Sequence, residues 1–141
     1  MRYIKQKVSV ALIAAVLAGC AAFDDPYGLN RDNRFAEVTP EAPPPSYVGT
    51  WTGGTSLYLT TMRLQADGRG LLCSSMHTRE SVGNVKYHSG MLYTQSGDRL
   101  TIRRDGDVLV IGFEDPSLPS YRLVQDPKLV EASPYCKKAV G

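Results

Sequence analysis

Cys20, Cys73 and Cys136 are the residues of this chain best equipped for covalent chemistry. Cys20 ends the run Leu17-Ala18-Gly19-Cys20, behind a leader carrying Arg2, Lys5 and Lys7 and an apolar stretch from Val8 to Ala18. A thiol is the nucleophile that alkylation needs, and small residues before it let the backbone lie extended in a peptidase groove. Charged leader, apolar core and small residues are the parts of a secretory signal. The apolar core has 11 residues, against the roughly 20 of a spanning helix. An uncleaved anchor is therefore the weaker reading.

Other reactive side chains form no convincing constellation. His77 and His88 flank a predicted loop over 78–84 and would approach each other across one hairpin, but no spacing supplies a third metal ligand, Glu80 being near in sequence alone. Two surface imidazoles on a hairpin end are the preferred reading. Ser74, Ser75 and Ser89 lack the turn that exposes a serine nucleophile. Gly68-Arg69-Gly70 is too short for a phosphate loop, and Asp105 and Asp107 lack the rest of a calcium ladder. The expectation is no catalytic residue, no metal and no cofactor: not an enzyme.

Leu17-Ala18-Gly19-Cys20 resembles the lipobox of bacterial lipoproteins. That resemblance implies diacylglyceryl transfer to the Cys20 thiol, cleavage before it, and acylation of the new amino group by a fatty acid such as palmitate. At about 0.8 kcal/mol per buried methylene, two or three chains make a stable membrane anchor. Ala21 follows, not Asp, which by the same resemblance implies the outer membrane, facing the periplasm. With Cys20 lipidated, Cys73 and Cys136 remain as an even pair in an oxidising compartment, and a disulfide is predicted. Two free buried thiols are the competing reading.

Charge narrows the partners. Three of the 16 basic residues lie in the leader, leaving 13 against 14 acidic ones in the mature chain. A nearly neutral domain lacks the basic footprint of a nucleic-acid binder.

The elements divide into a tether and a domain. Residues 1–19 form the signal peptide. Residues 20–46 read as the lipidated cysteine and a flexible, Pro-rich linker, with Pro40 and Pro43-Pro44-Pro45 blocking helix. Phe35 or Tyr27 would be the side chains to dock it. Residues 47–141 read as an all-β domain, with strands expected near 47–52, 56–65, 70–77, 84–94, 99–104, 108–113 and 120–125. Asp67-Gly68, Ser96-Gly97 and Asp105-Gly106 are hairpin dipeptides. Leu100 and Ile102 alternate with Thr101 and Arg103, giving one dry and one wet face. Short strands and tight turns indicate an antiparallel meander, closed or nearly closed into a barrel of seven or eight strands. A short helical turn is expected at Lys128–Glu131, in a C-terminal tail pinned by Cys136.

Gly49-Thr50-Trp51 in the first strand is similar to the Gly-x-Trp of the calycins: lipocalins, avidins and small bacterial metalloproteinase inhibitors. The resemblance implies that Trp51 plugs one barrel end, under a cation–π contact from Arg122 of the last strand. A core Trp in an unrelated β-fold is the alternative. Ser96-Gly97-Asp98-Arg99 is similar to the Ser-Gly loop of periplasmic lysozyme inhibitors, although Leu100 replaces the aromatic expected next. The functional expectation is a membrane-anchored, non-enzymatic binding module for a small apolar ligand or an envelope protein. The alternative is a periplasmic inhibitor of a lysozyme or protease. Arg63, Arg99, Arg103, Arg104 and Arg122 read as solvated strand faces that blunt edge pairing.

Overall fold

The computed structural model describes residues 33–55 and 57–141. Signal peptide, Gly19, Cys20 and the linker to residue 32 lie outside the described residues. Eight antiparallel strands appear among those described: β1 (Gly49–Gly54), β2 (Leu59–Leu64), β3 (Arg69–Met76), β4 (Arg79–His88), β5 (Met91–Thr94), β6 (Arg99–Asp105), β7 (Val108–Phe113) and β8 (Tyr121–Gln125). Each pairs with its neighbour in sequence, and β8 returns to β1 through Thr52 opposite Val124, so the barrel is closed. Closure leaves no whole edge strand among the described residues, although Arg79–Gly83 of β4 pair on the β3 side alone.

Period-two alternation sorts the side chains. Trp51, Met62, Leu64, Leu92, Leu100, Ile102, Leu109, Ile111 and Leu123 point inward and form one buried cluster. The run 84–94 is two strands, not one. Ser89-Gly90 turns it, with Ser89 itself in the left-handed region at φ 48°. Within 78–84, Thr78 belongs to the β3–β4 turn and residues 79–84 are the first half of β4, paired against β3 from Met76–Arg79 to Leu71–Asn84. His77 and His88 therefore stand at opposite ends of a ten-residue strand, on the order of 30 Å apart, and do not meet.

Two segments wrap the outside. Residues 33–43, expected as part of a flexible linker, lie against β4 and β5. Lys86 Nζ donates to the Phe35 carbonyl at 2.8 Å and sits 4.4 Å from the Phe35 ring centroid. Glu41 N donates to the Tyr87 carbonyl at 2.8 Å, the Glu41 carboxylate accepts from Ser89 N at 2.9 Å, and Pro43 is buried. Phe35 docks on the barrel, Tyr27 lies outside the described residues, and the folded unit begins well before residue 47. The sequence hides this because the contacts follow no period.

The C-terminal arm covers β1–β3. Its helix, α1 (Pro134–Val140), lies later than the expected turn at 128–131. The Asp126 carboxylate accepts from Val130 N and Glu131 N, and Leu129 takes a positive φ of 55°. Helix starts only after Ser133, whose hydroxyl accepts from Cys136 N at 3.1 Å as the N-cap. Cys136 bonds Cys73 on the outward face of β3, with Cα atoms 5.7 Å apart, within ordinary disulfide geometry. Leu129, Ala132 and Val140 pack around the bridge as a second core. The arm also buries the Thr52 and Thr61 hydroxyls, which satisfy each other at 3.1 Å.

Candidate functional site

The two barrel ends differ. One end holds the β2–β3, β4–β5 and β6–β7 turns and is plugged by Trp51. Its Nε1 donates to the Tyr47 carbonyl at 2.9 Å, from the 3-10 turn Pro45–Tyr47. Tyr47 packs edge-on against Tyr87, ring centroids 6.3 Å apart. Gly49 holds φ +134°, a value that residues other than glycine rarely adopt, and a Cβ there would stand 3.8 Å from Trp51 Nε1. Trp51 is fully buried at this end of the barrel.

The cation over that plug is Arg104, not Arg122. The Arg104 guanidinium carbon lies 5.0 Å from the Trp51 ring centroid. The reason is parity. On β8, Leu123 faces inward, so Arg122 faces out and donates to Asp105 at 3.0 Å. On β6, Leu100, Ile102 and Arg104 share the inner face. Arg63, Arg99, Arg103 and Arg122 do lie on the outer wall. Arg99 pairs with Glu114 at 2.6 Å.

The opposite end is open. A cavity of about 440 Å³ enters the barrel there. Leu72, Val85, Leu100 and Ile111 line its apolar depth, Phe113 and Tyr121 one wall, and Thr60, Ser74, Ser81 and Thr94 add hydroxyls. Small residues at inward positions make the space: Ser74 on β3, and Ser81 and Gly83 on β4, stand where the plugged half carries Met62, Leu64 and Leu109. Burial, then neighbouring Tyr58 and Asp98, push the Tyr121 phenol above its ordinary range. On the rim, the Ser117 hydroxyl and N–H hold the Asp115 carboxyl below its ordinary value. No buried side-chain N or O among the described residues lacks a hydrogen-bond partner. A ligand here meets apolar surface in the depth, with hydroxyls, the Asn84 and Gln95 amides and the Asp98 carboxylate also in the lining.

The described residues bring no three His, Cys, Asp or Glu side chains together in a metal-like group. The Ser96-Gly97 loop spends its polar groups internally: the Ser96 hydroxyl donates to Asp98 at 2.9 Å, and Asp98 N to the Thr94 hydroxyl at 2.9 Å. No helix of the described residues is long and apolar enough to cross a membrane.

Residues 32–140 match the family described as "Bacterial lipocalin LPS transport optimiser YedD". The chain belongs to the YedD family. A solved YedD lipoprotein from Klebsiella pneumoniae subsp. pneumoniae MGH 78578 is similar, with a TM-score of 0.55, 20% identity, and coverage of 75% of this chain and 91% of that one. At that identity the likeness speaks for the fold alone. The comparison with curated proteins gives no match. YedD membership makes this a barrel lipoprotein of the bacterial cell envelope. Sequence reading missed the cavity residues Ser74, Ser81, Gly83 and Thr94; the available signal was their small size on strands whose other inward positions are bulky.

Proposed function

We propose that this protein is anchored by lipid on Cys20 to the periplasmic face of the outer membrane, where its barrel acts as a non-enzymatic binding module supporting lipopolysaccharide transport. The family description supplies the process. One observation carries the molecular part: a barrel sealed at one end and hollow at the other, with an apolar cavity of about 440 Å³. That volume lies in the range of small-ligand sites, roughly 300–1,000 Å³. It suits one acyl chain or a comparable apolar group and is too small for the many-chained lipid of a whole lipopolysaccharide. The module therefore holds a single apolar group of an envelope component and does not carry the lipopolysaccharide itself. Nothing at the Ser96-Gly97 turn favours the hydrolase-inhibitor reading.

Titration with a naphthylamine-type apolar fluorophore, competed by fatty acids of graded length, tests the reading. The expected result is saturable one-to-one binding, displaced best by a chain that fits the cavity. Absence of saturable binding by the folded protein removes the ligand-binding role.

A further inference from the structure

The strap of residues 33–43 has a direction. Asn33 Nδ2 donates to the Gln95 carbonyl at 3.2 Å, in the β5–β6 turn beside the mouth. Phe35 meets Lys86, two residues before the end of β4 and opposite Arg69 of β3. The Thr39 carbonyl lies 2.9 Å from His88 Nδ1, and Glu41 reaches Tyr87 and Ser89, all toward the plugged end. The chain thus joins the folded unit at the mouth and runs down the wall before entering β1 from below. Thirteen peptide steps separate Asn33 from Cys20, a reach of at most about 45 Å. The described chain begins on the mouth side, within that reach of a lipid on Cys20.

The same end carries apolar groups. Leu57 and Tyr58, between β1 and β2, are 69% and 37% exposed, and Leu118, between β7 and β8, is 48% exposed. These loops are neighbours because β8 pairs with β1. The sealed end presents polar turns instead: Asp67-Gly68, Ser89-Gly90 and Asp105-Gly106-Asp107. Val124 and Val130, also exposed, lie away from the mouth on β8 and the C-terminal arm. Rim charges are mixed: Arg79 and Arg99 stand among Glu80, Asp98, Glu114 and Asp115. Such a rim suits apolar contact more than attraction to anionic headgroups.

We propose that the mouth faces the lipid leaflet holding the anchor, with Leu57, Tyr58 and Leu118 seated in its headgroup region. The cavity then opens toward lipid, and an apolar chain enters it without crossing water. This rests on the reading that Cys20 is lipidated.

The test uses the full-length lipidated protein in phosphatidylcholine vesicles doped with nitroxide-labelled lipid. A thiol-reactive fluorophore is placed at Ser117→Cys, in the mouth loop, or at Asp107→Cys, in the turn at the sealed end. Quenching at least twofold stronger at position 117 is expected, and the added pair Leu57→Asp and Leu118→Asp is expected to halve it. Equal or stronger quenching at 107, or quenching at 117 indifferent to the added pair, overturns the proposal. Intact mass separates the two readings. An unmodified Cys20 sinks the anchor and this orientation together, whereas an acylated Cys20 with the sealed end quenched sinks the orientation alone.

Discussion

The guanidinium of Arg104 lies over the indole of Trp51, 5.0 Å from carbon to ring centroid, and also donates to the Ser46 carbonyl at 3.3 Å. β6 and the chain entering β1 are thereby clasped across the sealed end. Cation–π contacts contribute about 0.5–2 kcal/mol, more as they are desolvated. Arg104→Ala is expected to lower the free energy of unfolding by about 1–2 kcal/mol, measured by urea titration. Arg122→Ala breaks an exposed pair with Asp105 and should cost less than about 1 kcal/mol. Trp51 is the chain's single Trp, so its emission reports this end directly and should shift in the first variant alone.

The Cys73–Cys136 bridge closes a loop spanning 63 positions of sequence. The chain-entropy account gives roughly 4 kcal/mol for a loop of that size. The Cys73→Ala/Cys136→Ala variant should lose about 2–5 kcal/mol, with a local signature besides. α1 covers β3, so amide exchange should rise first in residues 126–140 and in the strands beneath, before the mouth strands respond.

Much of the barrel was legible because its turns need particular residues. Asp67-Gly68 and Asp105-Gly106 mark hairpins through glycine, and β6 and β7 alternate or run apolar as buried strands do. The eighth strand was hidden for two reasons. The turn between β4 and β5 begins with Ser89, a residue that seldom takes positive φ. The first half of β4, Arg79-Glu80-Ser81-Val82-Gly83-Asn84, has weak strand propensity and pairs because β3 offers it a template. The site was faint for a related reason: its one signal is small residues at inward positions, Ser74, Ser81 and Gly83, and these carry no period of their own.

Asp67 caps the β2–β3 hairpin. Its carboxylate accepts from Arg69 N at 2.9 Å and from the Arg69 guanidinium at 3.0 Å, and the backbone bond to Arg69, with the side-chain bond behind it, holds its pKa below the ordinary value. A depressed folded-state pKa gives stability that is present above the unfolded pKa and lost as pH falls through the folded one. Asp67→Asn should therefore weaken the protein slightly at neutral pH and lose its effect in acid. Paired thermal melts between pH 7 and pH 2 check this, and an effect that persisted in acid would mean that the amide changes the turn itself.

Gly68 sits where the strap crosses that hairpin. It takes φ +86°, and a Cβ there would stand 2.0 Å from the Glu41 carbonyl oxygen. Backbone and neighbour both oppose a side chain. Gly68→Ala is expected to cost about 1–3 kcal/mol and to lift the strap from β4. Limited proteolysis should then cut within residues 33–43, which the native protein protects.

The hollow and solid halves of the barrel should answer substitution in opposite ways. In the solid half Leu109 is fully buried, and Leu109→Ala should cost about 2–5 kcal/mol, the lost transfer energy plus a new void. In the hollow half Gly83 faces the cavity, and a Cβ there would meet nothing closer than the Gln95 Cβ at 3.7 Å, an ordinary contact. Gly83→Leu adds apolar bulk to space that already exists and replaces a poor strand former by a better one. Its stability should match or exceed that of the native chain by up to about 1 kcal/mol. The leucine occupies the volume that an apolar chain would fill, so fluorophore binding should fall at least tenfold while Trp51 emission stays unchanged. Urea titration beside the binding assay checks both halves of the argument. A destabilised Gly83→Leu would show that the cavity is too narrow for a side chain, and a stable one that still binds would place the ligand elsewhere.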